Sequence, residues 1–273
     1  MQSNVRAAAV AGRFYPAWPG DLVEEIDAYL RAAPPQATAA VRPPKLLLVP
    51  HAGYMYSGPI AAGAYARLAE WRGRIERVVL LGPTHRVPVR GLALPGATAF
   101  ETPLGRVPVD REAQAMLADM PQVVVNRATH ADEHALEVQL PFLQRVLGSG
   151  FKLVALAVGQ AEPEAVAQVL ERLWGGDETL IVVSSDLSHY LPYAEARARD
   201  SATIERVLRL DPALAHDEAC GATPLAGALI AARRHGLKPH LVDLRNSGDT
   251  AGDRRRVVGY ASVVFEAPLV PAS

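Results

Sequence analysis

Residues 45–54 read KLLLVPHAGY and residues 77–85 read RVVLLGPTH. Each is a short run of Leu and Val, closed by proline or glycine and followed at once by a histidine, His51 in the first and His85 in the second. Unbroken apolar runs of this length are strands covered on both faces, as in parallel sheets. Residues 180–190, LIVVSSDLSHY, repeat the arrangement: a buried strand leads through Asp186 to His189. Residues 153–158 form a fourth such run, and 241–244 and 257–265 read as later strands, the last alternating in the manner of an edge or antiparallel strand.

Helical spacing separates these runs. It predicts helices over 59–71, 112–118, 133–147, 163–173, 193–208 and 224–234. Strands alternating with helices imply crossover units and an α/β fold, its central sheet mainly parallel or mixed and flanked by helices. Residues 89–109, rich in Pro and Gly, break the alternation and are expected to form a hairpin excursion. Residues 32–44 and 247–253 read as loops too short to be linkers, so the whole chain, 1–273, is expected to be one domain.

With 49% hydrophobic residues the chain can bury a core without metal or disulfide staples, so a metal here would serve function rather than folding. The 28 basic and 29 acidic residues nearly cancel, and the longest basic run is the triplet Arg254, Arg255 and Arg256 in a polar turn. That balance argues against a nucleic-acid or membrane surface. A single cysteine, Cys220, forbids an internal disulfide and fits a reducing cytoplasm, the expected location given an N-terminus without a charged, then apolar, leader.

Open α/β sheets bind ligands outside the carboxyl ends of their strands, where His51, His85 and His189 fall. Cys220 precedes the helix that opens near Pro224, and the positive end of that helix dipole favours its thiolate. These four residues are expected to build one pocket. Asp186 is placed to orient His189. His134 and Glu137 lie three apart on one helix face and are placed to line the same pocket as acid–base groups. Two histidines and an anionic ligand suit Fe(II), and a thiolate in that role shifts preference toward softer ions such as Cu(I) and Zn(II). A metal-free Cys220–His189 nucleophile pair is the competing scheme, but it leaves His51 and His85 without a task.

Taken in order, these segments resemble the Memo family, the B protein of the AmmeMemoRadiSam system. The matching pieces are Arg6 with residues 11–16 (AGRFYP), 50–54 (PHAGY), 56–58 (YSG), 82–85 (GPTH) and 102–105 (TPLG). They continue with 132–134 (DEH) and Glu137, 184–186 (SSD) with His189, and Cys220 with Gly221. The resemblance implies a fold similar to class III extradiol dioxygenases. It implies iron or copper on His51, His85 and Cys220, with His189 matching the dioxygenases' catalytic histidine. It also implies a redox function on an unknown small substrate or, alternatively, a non-catalytic pocket that holds a peptide or sequesters metal. A pathway link to AMMECR1-type and radical-SAM proteins belongs to the same expectation.

Overall fold

A computed structural model of the chain describes residues 4–35 and 42–268, so part of the expected 32–44 loop and the first three residues lie outside the described residues. The strands are β1 (Val5–Arg6), β2 (Leu46–Val49), β3 (Arg77–Pro83), β4 (Leu92–Leu94), β5 (Ala99–Thr102) and β6 (Gly105–Pro108), then β7 (Val123–Val125), β8 (Lys152–Val158), β9 (Thr179–Ser184), β10 (His189–Leu191), β11 (Lys238–Asn246) and β12 (Val257–Glu266). The helices are α1 (Pro19–Ala32), α2 (Tyr54–Tyr65), α3 (Arg111–Ala115), α4 (Arg127–Ala131), α5 (His134–Glu137), α6 (Leu140–Leu147), α7 (Pro163–Arg172), α8 (Tyr193–Leu208) and α9 (Ala222–Arg234).

Among the described residues the main sheet runs β10-β12-β2-β9-β3-β8-β4-β7, with β11 also on β12. Its centre, β2-β9-β3-β8, is parallel, and β12 and β4 add antiparallel strands on either side. The sheet is therefore mixed and flanked by helices, as the sequence pattern implies. Alternation along β2 divides the core in two: Leu47 and Val49 join the cluster that includes Ile26 of α1, Tyr65 of α2 and Phe142 of α6, while Leu46 and Leu48 join the one that includes Leu170 of α7, Val207 of α8 and Leu229 of α9. The alternating strand β12 is antiparallel but interior, with β2, β10 and β11 all bonded to it. The excursion at 89–109 divides: β4 returns to the main sheet, and β5 and β6 form the hairpin, with β1 parallel to β5. No helix among the described residues is long and apolar enough to cross a membrane.

The helix expected over 133–147 is two helices. Pro141, near the start of α6, has no N–H to give to the carbonyl of Glu137, so α5 stops after one turn. This break bears on Glu137, which does not line the pocket. Its fully buried carboxylate is ion-paired with Arg6 and also accepts from the backbone N–H groups of Ala9 and Val10 and from the Tyr15 hydroxyl. With four donors on it, the group is committed to anchoring the N-terminal segment. Arg6 carries the anchor onward, donating from Nε to the His130 carbonyl at 2.9 Å and from Nη2 to the Glu133 carbonyl at 2.7 Å.

Two tests follow from this clamp. Glu137→Ala leaves Arg6 buried without its partner and should cost about 3–5 kcal/mol in urea unfolding. A loss below about 1 kcal/mol would mean that the pair is solvated. His130 is buried with Nε2 donating to the Ala93 carbonyl at 2.7 Å, and burial pushes its pKa down to about 4. The unfolded chain binds that proton near pH 6.5, so this ring's contribution to stability is complete above about 6.5 and is lost as pH falls toward about 4. Wild type should therefore lose up to roughly 3 kcal/mol more than His130→Gln across that window, and parallel pH curves would refute a neutral buried ring.

Candidate metal centre

The three central parallel strands β2, β9 and β3 all end at one rim of the sheet. His51 lies two residues beyond β2, His85 two beyond β3, and Asp186 two beyond β9. His134 opens α5, which packs over the end of β3 because Gly82 has no side chain. A Cβ there would stand 2.9 Å from Leu136 and 3.3 Å from Ala135.

This packing brings three imidazoles together. One ring nitrogen from each of His51, His85 and His134 lies within 4.8 Å of the other two, and the ring centroids are 4.6–5.4 Å apart. Hydrogen bonds fix which nitrogen is bare. The Ser184 hydroxyl spends its one proton on the Ala135 carbonyl at 2.6 Å and accepts from Gln139 Nε2 at 2.8 Å. Nδ1 of His51, 2.9 Å from the same oxygen, must therefore donate, which leaves Nε2 with a free lone pair. Nδ1 of His85 donates at 2.9 Å to Glu133 Oε1, and Nδ1 of His134 lies 3.3 Å from that oxygen. A carboxylate behind a histidine is the usual means of orienting a metal-binding ring.

Protonation favours ligation as well. Burial, then the neighbouring His85, pushes His51 down to about 3, and burial followed by His51 pushes His134 down to about 4. Glu133 is pulled the other way. Burial would raise it, but the His85 side chain and the backbone N–H groups of Ala135 and His85 together hold it down to about 2. Neutral rings beside an ionised orienting carboxylate are the donor set a transition-metal ion needs, so these residues fit a metal.

Cys220 approaches from the other side of His51, its Sγ 3.2 Å from His51 Nε2. Gly221 brings it there, since a Cβ at that position would stand 2.7 Å from the Ser185 side chain and 3.0 Å from the Ser184 carbonyl. The thiolate expected from the helix dipole does not result from the protein groups alone. Burial, then Asp186, pushes the thiol up to about 12. Nor do the four expected residues share one pocket. His51, His85, His134, His189 and Asp186 line a cavity of about 630 Å³, whereas Cys220 lines an adjoining one of about 610 Å³ with Thr84, Arg90, Gln160 and His216.

Asp186 has a different task from the expected one. Its Oδ1 accepts the backbone N–H of His51 at 2.7 Å, and its carbonyl accepts that of Cys220 at 3.2 Å, so it ties two candidate ligands to the end of β9. His189 is oriented instead by its own loop, Nδ1 donating to the Leu187 carbonyl at 2.8 Å. Next to it, Tyr190 has a left-handed backbone, φ 60°, and is 62% exposed. A bulky residue held in that conformation costs about 1–3 kcal/mol and marks a place where the surroundings impose it.

Two residues were missed or misjudged from sequence. Glu133 reads as an ordinary first-turn acid, and only its position beside His134 hinted at an orienting role. His134, expected as a wall residue, belongs to the imidazole group itself.

The comparisons with known proteins agree on the family. A family model described as Memo-like protein matches residues 6–264. A MEMO1 family protein of Sulfolobus acidocaldarius is 35% identical over 282 residues, covering 96% of this chain and 99% of that one. One of Aquifex aeolicus is 38% identical over 274 residues, with 96% and 99% covered. Another, of Methanopyrus kandleri, is 37% identical over 281 residues, with 95% and 98% covered. With a family match over nearly its whole length and relatives of this identity, the chain belongs to the Memo family.

Proposed function

We propose that this protein is a metal-dependent redox protein that holds an iron or copper ion at the end of β2, β9 and β3 and acts on a small organic substrate in the 630 Å³ cavity. The observation that carries the reading is the group of three imidazoles, two of them held neutral by burial and two of them backed by one carboxylate. His51 and His85 are the ligands common to every arrangement of the site. Cys220 is the anionic ligand beside His51, and His134 completes the set. Bound there, the ion would supply one-electron chemistry and Lewis acidity to a molecule in the cavity.

The protein's own groups do the rest. With its Nδ1 on the Leu187 carbonyl, His189 presents Nε2 as a proton acceptor at the cavity wall, the role of an acid–base group. Asp186 keeps the His51 and Cys220 backbones in register. Phe14, its ring centroid 4.7 Å from that of His134, covers one side of the imidazole group and limits water there. The single free cysteine in such a site suits a reducing compartment, and we place the protein in the cytoplasm.

Protein purified without oxygen and offered Fe(II) or Cu(I) should take up one of them near-stoichiometrically by elemental analysis. His51→Ala and Cys220→Ala should lose it. Glu133→Gln keeps the ligands but loosens two rings, and should bind about 10–100-fold more weakly. His189→Ala should retain the metal and lose only substrate-dependent oxygen consumption. Wild type that binds neither ion would overturn the reading, and metal loss in His189→Ala would move that residue into the ligand set.

A further inference from the structure

The basic triplet at 254–256 reaches the histidine cavity through one of its members, and the three differ. Arg255 is paired with Asp253 at 2.6 Å, and Arg254 sits over the Tyr193 ring with Asp249 at 4.0 Å. Arg256 lies within ion-pair distance of no carboxylate among the described residues, and it alone of the three lines the cavity. Its guanidinium lies over the ring of Tyr190, 5.1 Å from the centroid. That ring is the one projected by the left-handed backbone beside His189. Neither carboxylate on the same wall is within ion-pair distance of it: Asp253 pairs with Arg255, and buried Asp186 accepts from the His51 backbone. Phe14, Tyr56 and Tyr260 supply aromatic surface around the remaining wall.

An unpaired guanidinium with an aromatic platform beneath it, facing a cavity of ligand size, is built to receive an oxyanion in the plane of its fork. Carboxylate and phosphate both meet that description. We propose that the cavity binds a small organic acid, its carboxylate on Arg256 and its body against Phe14, Tyr56 and Tyr260. This rests on the reading of the cavity as a substrate site next to a metal, and it narrows that substrate to an acid. Tyr190 acts as a positioning residue, holding the guanidinium rather than touching the acid's charge.

The test is calorimetric titration of the protein as purified with benzoate, benzamide and phenyl phosphate, metal content being measured on the same samples. Benzoate should bind at least about tenfold more tightly than its neutral isostere benzamide. Arg256→Gln should abolish that preference, Arg256→Lys should keep part of it because it retains charge without the fork, and Arg255→Gln should leave it intact. Equal affinity for benzoate and benzamide in wild type, or a preference that survives Arg256→Gln, overturns the proposal. Phenyl phosphate binding more tightly than benzoate overturns the choice of carboxylate. The metal reading fails separately: wild type that takes up neither Fe(II) nor Cu(I) when offered them, yet prefers benzoate through Arg256, counts against the ion and not against the acid site.

Discussion

The Ser184 hydroxyl has one proton, and the Ala135 carbonyl takes it. Nδ1 of His51 must then be a donor, so Nε2 of a ring buried at the end of β2 has a lone pair, and among the described residues its one hydrogen-bond partner is the Cys220 thiol. Glu133 imposes the same logic on His85, because a carboxylate can only accept. Such constraints act before any ligand arrives. They fix the tautomers and hold the rings against rotation, so a ligand binding them would lose little further orientational freedom. Burying Glu133 as an anion is tolerable because the ring and backbone N–H groups of His85 and the backbone N–H of Ala135 converge on it.

The network extends to the N-terminal segment. Arg6 holds the carbonyls of His130 and Glu133 and the carboxylate of Glu137, so β1 fastens both ends of the stretch that carries His134. The β1–β5–β6 sheet therefore supports the site from outside the main sheet. Glu137 and His134 share one turn of helix yet work in opposite directions, one inward to the clamp and the other to the cavity.

Much of this was legible in the chain. The unbroken apolar runs at 46–49, 78–81, 153–158 and 180–183, each short and closed by Gly, Pro or Ser, read as covered strands, and crossover helices make their carboxyl ends coincide; that placed His51, His85 and the Asp186–His189 loop on one rim. What spacing could not supply was direction and burial. Positions 134 and 137 have the same helical phase as any i, i+3 pair, and nothing local says that Pro141 ends the turn early or that Arg6, 131 residues away, will claim the acid. The helix start at Cys220 is visible in sequence, but the burial that raises its thiol is a tertiary fact, as is the close approach of Gly221 to Ser185. Asp186 looked like the partner of His189 because it was near in sequence. The strand order instead brings the N–H of His51 to it across the sheet.

The position of Cys220 between two cavities gives the site its asymmetry. Its proton and any cation would compete for one feature, the bare Nε2 of His51 at 3.2 Å. While the thiol keeps its proton, S–H can satisfy that nitrogen and the pair is internally complete. A cation that takes the nitrogen removes the acceptor and at the same time brings the positive charge that stabilises thiolate. Were an ion held as proposed, ligation by His51 and by Cys220 would be coupled through this single lone pair, whereas His85 and His134 are oriented by Glu133. The group has two parts of different character: a pair of imidazoles backed by a carboxylate, and an imidazole–thiol pair that would have to give up a proton to hold an ion. A softer ion would gain more from the second part than a hard one, and on the proposed reading that would tie the choice of metal to the proton on Cys220 rather than to the imidazoles.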